Sequence, residues 1–194
     1  MPLLTLSIDM NDRLVTVVGG GEVACRKVQT LLESGARVRI VSPEIKPELR
    51  EVCASGRIEW RQNGYRPEDL DGSFLVVAAT ADRELNRAVA EEARRRGMLV
   101  NVAAPPECGD TTLPAVLQRG GLEIAVSSGG TCPAFAVAVR DRLEREIGPE
   151  YGQALQEAAQ LREKLLTERE TTPYNAEAFR SHVRQLVDGI KGTQ

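Results

Sequence analysis

Three consecutive glycines at positions 19–21 directly follow an apolar run, and they constrain the fold more than any other feature of this chain. The run from Leu14 to Val18 is rich in β-branched residues without polar alternation, which is typical of a buried parallel strand. From Glu22 onward, apolar residues recur with the spacing of one helix face. The pattern predicts a strand, a tight glycine turn and a helix in direct succession.

Gly19, Gly21 and Ala24 fit the GxGxxG/A dinucleotide fingerprint. In that fingerprint the first glycine allows the turn, the second lets the backbone approach a pyrophosphate, and the third position lets the helix pack closely on the strand. A second strand predicted over Arg37–Val41 completes the βαβ unit. We expect the helix N-terminus, with its free N–H groups, to bind the phosphates of a dinucleotide. A tight turn without a ligand is the alternative interpretation.

The residues at the end of the second strand do not decide between NAD and NADP. The ribose-binding Asp or Glu expected there is replaced by Ser42 and Pro43, with Glu44 just beyond. Because a serine hydroxyl can still hydrogen-bond a ribose, we expect NAD as the cofactor.

A second apolar run, Phe74 to Ala79, predicts a central parallel strand. Thr80 follows it at the carboxyl edge, where open α/β sheets bind ligands. The predicted cofactor-binding residues are Gly19, Gly20, Gly21, Glu22, Val23, Ser42, Pro43 and Thr80. Further predicted elements are an edge strand or hairpin arm over Leu3–Ile8, a helix over 48–54, a short strand over 58–61, a helix over 83–96 and a strand over 98–103.

Composition limits the class of protein. The net charge of −3 argues against a nucleic-acid binder with a globally basic surface. No run approaches the roughly 18 apolar residues of a membrane span, and the N-terminus lacks a signal pattern, so we expect a cytoplasmic protein without a membrane partner. The four cysteines form no CxxC pair and there is one histidine, so no metal site is predicted.

After about residue 105 the sequence no longer shows the repeated strand–helix pattern of the first part of the chain. Leu122–Ser127 alternates like a half-exposed strand, and the small residues Ser127–Thr131 then precede a helix with Pro133 in its first turn. Those small residues are a second candidate anion nest. Beyond Pro149, two apolar stripes separated by a break at Thr171–Pro173 predict helices that form core or a dimer interface.

The predicted fold class is therefore α/β, a Rossmann-like parallel sheet with a small α+β dimerisation region and a C-terminal helical region. We predict an NAD-binding Rossmann-like domain over 1–113, a dimerisation and substrate region over 114–148, and the helical region over 149–194.

Five sequence blocks together resemble the siroheme synthase N-terminal domain family, the precorrin-2 dehydrogenase/sirohydrochlorin ferrochelatase proteins. The blocks are Val17–Ala24 with Lys27, Val77–Thr80 with Asn86, Leu99–Val102, Leu113–Ala115, and Ile124–Thr131 with Pro133. The glycine fingerprint alone is shared with many enzymes, whereas the later blocks in this order are far more specific.

The resemblance implies that NAD⁺ oxidises precorrin-2 to sirohydrochlorin in siroheme biosynthesis. It also implies a homodimer in which the region after the Rossmann domain is exchanged and the tetrapyrrole lies in a cleft between subunits. Because precorrin-2 is rich in carboxylates, a chain of negative net charge needs hydrogen-bond donors at the binding site itself to hold them. The predicted substrate-binding residues are Asn101, Arg119, Ser127, Ser128, Gly129, Gly130, Thr131 and Arg140. For the two arginines, ordinary solvated charges are the alternative.

The sequence departs from the family pattern at Ala104, where relatives typically carry an Asp proposed as acid/base and as important for metal insertion. An alanine cannot transfer a proton or coordinate iron. Asp110 is the candidate replacement for proton handling, with a turn-capping carboxylate as the alternative. Two other functions stay open: a bifunctional dehydrogenase with ferrochelatase activity, and a non-catalytic dinucleotide-binding sensor.

Overall fold

The computed structural model describes residues 3–54, 56–167 and 177–190. In chain order its elements are β1 (Leu14–Val18), α1 (Glu22–Glu33), β2 (Arg37–Val41), α2 (Pro47–Ala54), β3 (Ile58–Arg61), β4 (Leu75–Ala78), α3 (Arg83–Arg95), β5 (Leu99–Val102), β6 (Ala115–Arg119), β7 (Leu122–Val126), α4 (Pro133–Glu146), α5 (Glu150–Thr167) and α6 (Glu177–Asp188). Short 3₁₀ turns cover Pro67–Leu70 and Pro106–Cys108. The chain divides into two units, Met1–Leu113 and Pro114–Gln194. The finer division at residue 148 stays a prediction.

The first unit is built on a five-stranded parallel sheet with the order β3-β2-β1-β4-β5. Val17 of β1 pairs with Ile40 on one side and with Val77 on the other. The chain crosses from β3 at one edge back to β4 beside β1, so the strand order reverses between β1 and β4. Ligands of such sheets bind at the carboxyl ends of the strands at this reversal. The predicted Rossmann-like fold is confirmed.

Helices cover both faces of this sheet, which explains why the strands are almost continuously apolar. Val28 of α1 packs with Val17 and Val77 on one face, and all three are buried. Val89 of α3 packs with Val76 on the other face.

The prediction of an edge strand or hairpin arm over Leu3–Ile8 is wrong. Those residues form no strand, and the side chains of Leu4 and Leu6 are 81% and 66% exposed. The segment leads into β1, which already pairs on both sides with β2 and β4. β1 therefore has no free edge with which this segment could form a hairpin.

The second unit begins with an antiparallel hairpin of β6 and β7, in which Arg119 pairs with Leu122. Helix α4 packs against this hairpin, and α5 contacts α6. Among the described apolar side chains of this unit, Leu117 and Ala136 are buried. The predicted break at Thr171–Pro173 lies outside the described residues. No described helix of either unit combines the length and the apolar character needed to cross a membrane.

Candidate functional site

The first two glycines of the turn after β1 are required by the surrounding chain. Gly19 has a φ of +120°, and a Cβ atom there would lie 2.7 Å from the carbonyl carbon of Ala79. A Cβ atom on Gly20 would overlap the carbonyl oxygen of Glu44. These glycines let the end of β1 approach β4 and the loop after β2.

Gly21 is different, because no protein contact explains why it is glycine. Its backbone is extended, with φ −86° and ψ −168°, and a Cβ atom would meet nothing within 4 Å. It is the N-cap residue of α1 and supplies no side chain to the first-turn amides, which lack intrahelical acceptors. The result is a bare helix N-terminus at the reversal of the strand order, with open space in front of it. This cradle fits the pyrophosphate of a dinucleotide.

The loop after β2 is hydrogen-bonded to this glycine turn. The backbone N–H of Lys46 donates to the carbonyl oxygen of Gly20 at 3.0 Å. Ser42 is buried, and its hydroxyl donates to the carbonyl oxygen of Glu44 at 2.6 Å. The hydroxyl proton is thus used within the loop, leaving Ser42 an acceptor toward any ribose. Pro43 beside it is exposed. The ribose-binding role of both residues stays a prediction.

Thr80 lies at the carboxyl end of β4 and is held by Asn86, which is fully buried. The backbone N–H and the hydroxyl of Thr80 donate to Asn86 Oδ1 at 3.1 and 2.8 Å. Asn86 Nδ2 donates to the carbonyl oxygens of Thr80 and Ala104 at 3.1 and 2.7 Å. One amide therefore joins the chain segments that leave β4 and β5. Asn86 was not among the predicted site residues, although a buried asparagine in the helix after a site-forming strand is a usable signal.

Asp110 binds the edge of β5. Its Oδ1 accepts a hydrogen bond from the backbone N–H of Val100 at 2.8 Å, and its own N–H donates to the Val100 carbonyl oxygen at 3.0 Å. This contact favours the structural alternative for the carboxylate, and a proton-transfer role stays a prediction. Within the described residues, no group of three or more His, Cys, Asp or Glu side chains could hold a metal ion.

Asn101 lies in β5 and is 5% exposed. Its Oδ1 accepts a hydrogen bond from Lys27 Nζ of α1 at 2.6 Å, and its Nδ2 donates to the carbonyl oxygen of Thr111 at 2.8 Å. Burial lowers the pKa of Lys27, and the neighbouring charge of Arg26 lowers it further. Lys27 was not predicted as a site residue, because its partner lies far away in the sequence.

The predicted anion nest of the second unit is a loop that already satisfies several of its own amides. Gly129 and Gly130 have φ values of +62° and +81°. The N–H groups of Gly129 and Cys132 donate to the hydroxyls of Ser127 and Ser128, and the Thr131 N–H donates to the Ser128 carbonyl oxygen. Its anion-binding role stays a prediction.

Both arginines predicted to bind substrate have local partners. Arg119 donates through Nε to the carbonyl oxygen of Ile147 at 2.9 Å and through Nη2 to that of Glu144 at 3.0 Å, so it caps the C-terminal end of α4. Arg140 forms ion pairs with Asp141 at 2.8 Å and with Glu144 at 3.8 Å. These contacts favour structural roles, and substrate binding by either arginine stays a prediction.

Two family models together match most of the chain. A model described as "Putative NAD(P)-binding" matches residues 6–115, and one described as "Sirohaem biosynthesis protein central" matches residues 119–146. The chain belongs to the siroheme synthase N-terminal domain family.

Curated relatives of this family are longer. The siroheme synthase of Methylobacillus flagellatus is 45% identical over 163 residues, which cover 84% of this chain and 35% of that protein. The siroheme synthase of Photorhabdus laumondii is 37% identical over 191 residues, covering 96% of this chain and 41% of that protein. The chain thus spans 35% and 41% of these two siroheme synthases.

A solved family structure matches over its full length. The structure of SirC, a precorrin-2 dehydrogenase, superposes with a TM-score of 0.70 at 28% identity, and the match covers 96% of this chain and 100% of SirC. The likeness therefore extends beyond the dinucleotide-binding fold.

Proposed function

We propose that this chain catalyses the NAD⁺-dependent oxidation of precorrin-2 to sirohydrochlorin in siroheme biosynthesis. The observation that carries the proposal is Gly21, which leaves open space at the bare N-terminus of α1 although no protein contact requires a glycine there. The full-length likeness to SirC supports the choice of reaction.

In the proposed reaction, precorrin-2 loses two electrons and two protons in all. NAD⁺ supplies the oxidising chemistry by accepting a hydride at its nicotinamide ring, and the remaining proton is released, giving sirohydrochlorin, NADH and H⁺. The chain contributes binding and orientation, because hydride transfer depends on holding donor and acceptor in contact.

The cofactor residues have distinct parts in this proposal. The first-turn amides of α1, from Glu22 onward, bind the pyrophosphate. Ser42 and Pro43 border the ribose at the end of β2. Thr80, fixed by Asn86, forms the rim of the site at the end of β4. Asn86 is buried and uses both ends of its amide, so Thr80 is hydrogen-bonded in place without a ligand.

We further propose that the protein is a homodimer whose interface includes the second unit. A two-stranded hairpin is marginally stable by itself. This unit nevertheless leaves Phe135 66% exposed, and Val116 and Val137 are each 42% exposed. A second copy that covers these side chains would supply the missing apolar contacts.

The test is an anaerobic reaction of the purified chain with precorrin-2 and NAD⁺, followed by the absorbance of NADH and of sirohydrochlorin. We expect both products to form together, and a parallel reaction with NADP⁺ measures cofactor preference. If sirohydrochlorin forms no faster with the chain than without it, the proposal is contradicted. Adding Fe²⁺ to sirohydrochlorin without NAD⁺ tests the ferrochelatase alternative, because a chelatase alone would give siroheme.

A further inference from the structure

Lys27 is a half-buried cation on α1 that the dinucleotide does not account for. Its ammonium group has three N–H donors, and Asn101 Oδ1, at 2.6 Å, is the acceptor that the described residues supply. The charge that acts on Lys27 within this part of the chain is that of Arg26, which has the same sign, and no described carboxylate offsets it. Burying a cation without a counter-ion is unfavourable, so such a group usually has a partner.

Asn101 connects Lys27 to the backbone of Thr111. Asn101 Nδ2 donates to the carbonyl oxygen of Thr111 at 2.8 Å. The hydroxyl oxygen of Thr111 is buried and has no hydrogen-bond partner among the described residues. Asn101 Oδ1 accepts a hydrogen bond from one of the three Lys27 N–H groups, and the described residues supply no acceptor for the other two. The missing partner is therefore an acceptor, and the charge of Lys27 favours an anion.

The position of this cluster separates it from the pyrophosphate cradle. Lys27 follows Glu22, the first residue of α1, by five positions, which places it about 7.5 Å farther along the helix axis. Asn101 is the penultimate residue of β5, level with Val77 of β4. The predicted ribose residues follow β2, on the opposite side of β1 from β4 and β5. The cluster thus lies on the side of the sheet away from the adenosine.

We infer that Lys27, oriented by Asn101, binds a carboxylate group of the substrate. This inference rests on the proposed function, because precorrin-2 supplies the carboxylates. Lys27 is then a specificity-determining residue for carboxylate-bearing tetrapyrroles, and its role is separate from holding the dinucleotide.

The test compares Lys27→Met and Lys27→Arg with the wild-type full-length chain. Arg26→Gln is the matched control, because Arg26 is the neighbouring cation on the exposed surface of the same helix. Two measurements are made anaerobically: the affinity for sirohydrochlorin without NAD⁺, and the KM values for precorrin-2 and for NAD⁺. Sirohydrochlorin is the binding probe because it carries the substrate's carboxylates and undergoes no oxidation in this assay.

We expect Lys27→Met to weaken sirohydrochlorin binding and to raise the precorrin-2 KM by about tenfold or more, as the loss of a charge-assisted hydrogen bond predicts. The KM for NAD⁺ should stay within about twofold of wild type, since the variant leaves the first-turn amides intact. Lys27→Arg should keep most of the affinity, and Arg26→Gln should behave as wild type. Raising the salt concentration should weaken tetrapyrrole binding more in wild type than in Lys27→Met.

Wild-type affinity and KM in a folded Lys27→Met variant would overturn the inference. An equal loss of affinity for NAD⁺ and for the tetrapyrrole would also overturn it. A change of oligomeric state would do the same, because it would indicate that Lys27 pairs with a carboxylate of a second copy of the chain. Should Lys27→Met fail to fold, Lys27→Gln in the same two assays decides the matter. If the wild-type chain itself neither binds sirohydrochlorin nor oxidises precorrin-2, the proposed function fails and this inference fails with it.

Discussion

The side-chain amide of Asn86 donates a hydrogen bond to the carbonyl oxygen of Ala104 at 2.7 Å, and this contact joins α3 to the segment that leaves β5. The same amide holds Thr80 at the end of β4. Asn86 is fully buried, and it makes these hydrogen bonds to two partly buried residues, Thr80 and Ala104. One side chain of α3 therefore connects the segments that leave β4 and β5 at the carboxyl edge around the candidate site.

Asn86→Ala should lower the free energy of unfolding by about 2 kcal/mol, because it leaves buried hydrogen-bonding groups unsatisfied. Urea denaturation measures the change, with Gln29→Ala on the exposed surface of α1 as the control. Wild-type stability in Asn86→Ala would mean that the amide does not hold this edge together.

Gly19 and Gly21 should respond differently to alanine. Gly19→Ala places a Cβ atom against β4 at a positive φ, so we expect a loss of about 2 kcal/mol or more in the free energy of unfolding. Gly21→Ala meets open space at an extended backbone, so its effect should stay within about 1 kcal/mol. Thermal or urea unfolding distinguishes the two. Equal destabilisation would contradict the assignment of Gly21 to a ligand.

The lowered pKa of Lys27 makes its effect on stability depend on pH. Because burial moves the folded-state pKa below the ordinary value of 10.5, the unfolded chain binds more protons between those two pKa values. Wild type should therefore gain stability relative to Lys27→Met as the pH rises through that window toward 10.5. Urea midpoints of both proteins at several pH values measure the difference. A pH-independent difference would show that the ammonium is not destabilised by burial.

Phe135 tests the proposed homodimer. Its side chain is 66% exposed, and a covering second copy would bury it. Phe135→Ser should shift the mass measured by light scattering from dimer to monomer, whereas Arg142→Ser, an exposed change on the same helix, should leave the dimer intact. A monomeric wild-type chain would contradict the proposal.

Two substitutions separate the structural role of Asp110, as a hydrogen-bond acceptor, from its predicted role in proton transfer. Asp110→Asn keeps an oxygen for the Val100 N–H, so turnover should stay within about twofold, whereas removing a general acid/base would lower it about 100-fold or more. Asp110→Ala loses the acceptor and should cost about 1 kcal/mol in the free energy of unfolding. A large loss of turnover in a stable Asp110→Asn would support the predicted role of Asp110 in proton transfer.

The sheet of the first unit was predictable because local patterns determine it. Continuous β-branched runs such as Leu14–Val18 indicate strands buried on both faces. Gly19 and Gly21 mark the turn between β1 and α1. The same reasoning failed for Leu3–Ile8, because an alternating pattern does not reveal whether a neighbouring strand is free to pair.

The parts of the site that were missed depend on contacts between distant segments. Lys27 and Asn101 lie 74 positions apart, and no periodicity connects them. Asn86 and Ala104 meet only once α3 and β5 have packed. The anion nest predicted over Ser127–Thr131 stays a prediction, and the hydroxyls of Ser127 and Ser128 each accept a hydrogen bond from a backbone N–H of their own loop. Small polar residues next to glycines do not reveal whether their partners are internal.

Calorimetric titration of NAD⁺ into wild type and Gly21→Ala tests whether the N-terminus of α1 binds a dinucleotide. We expect wild type to bind one NAD⁺ per chain and the folded Gly21→Ala variant to bind it about tenfold or more weakly, because its new methyl group enters the open space beside the N-cap of α1. No detectable binding to the folded wild-type chain, or equal affinities in the two proteins, would contradict the account.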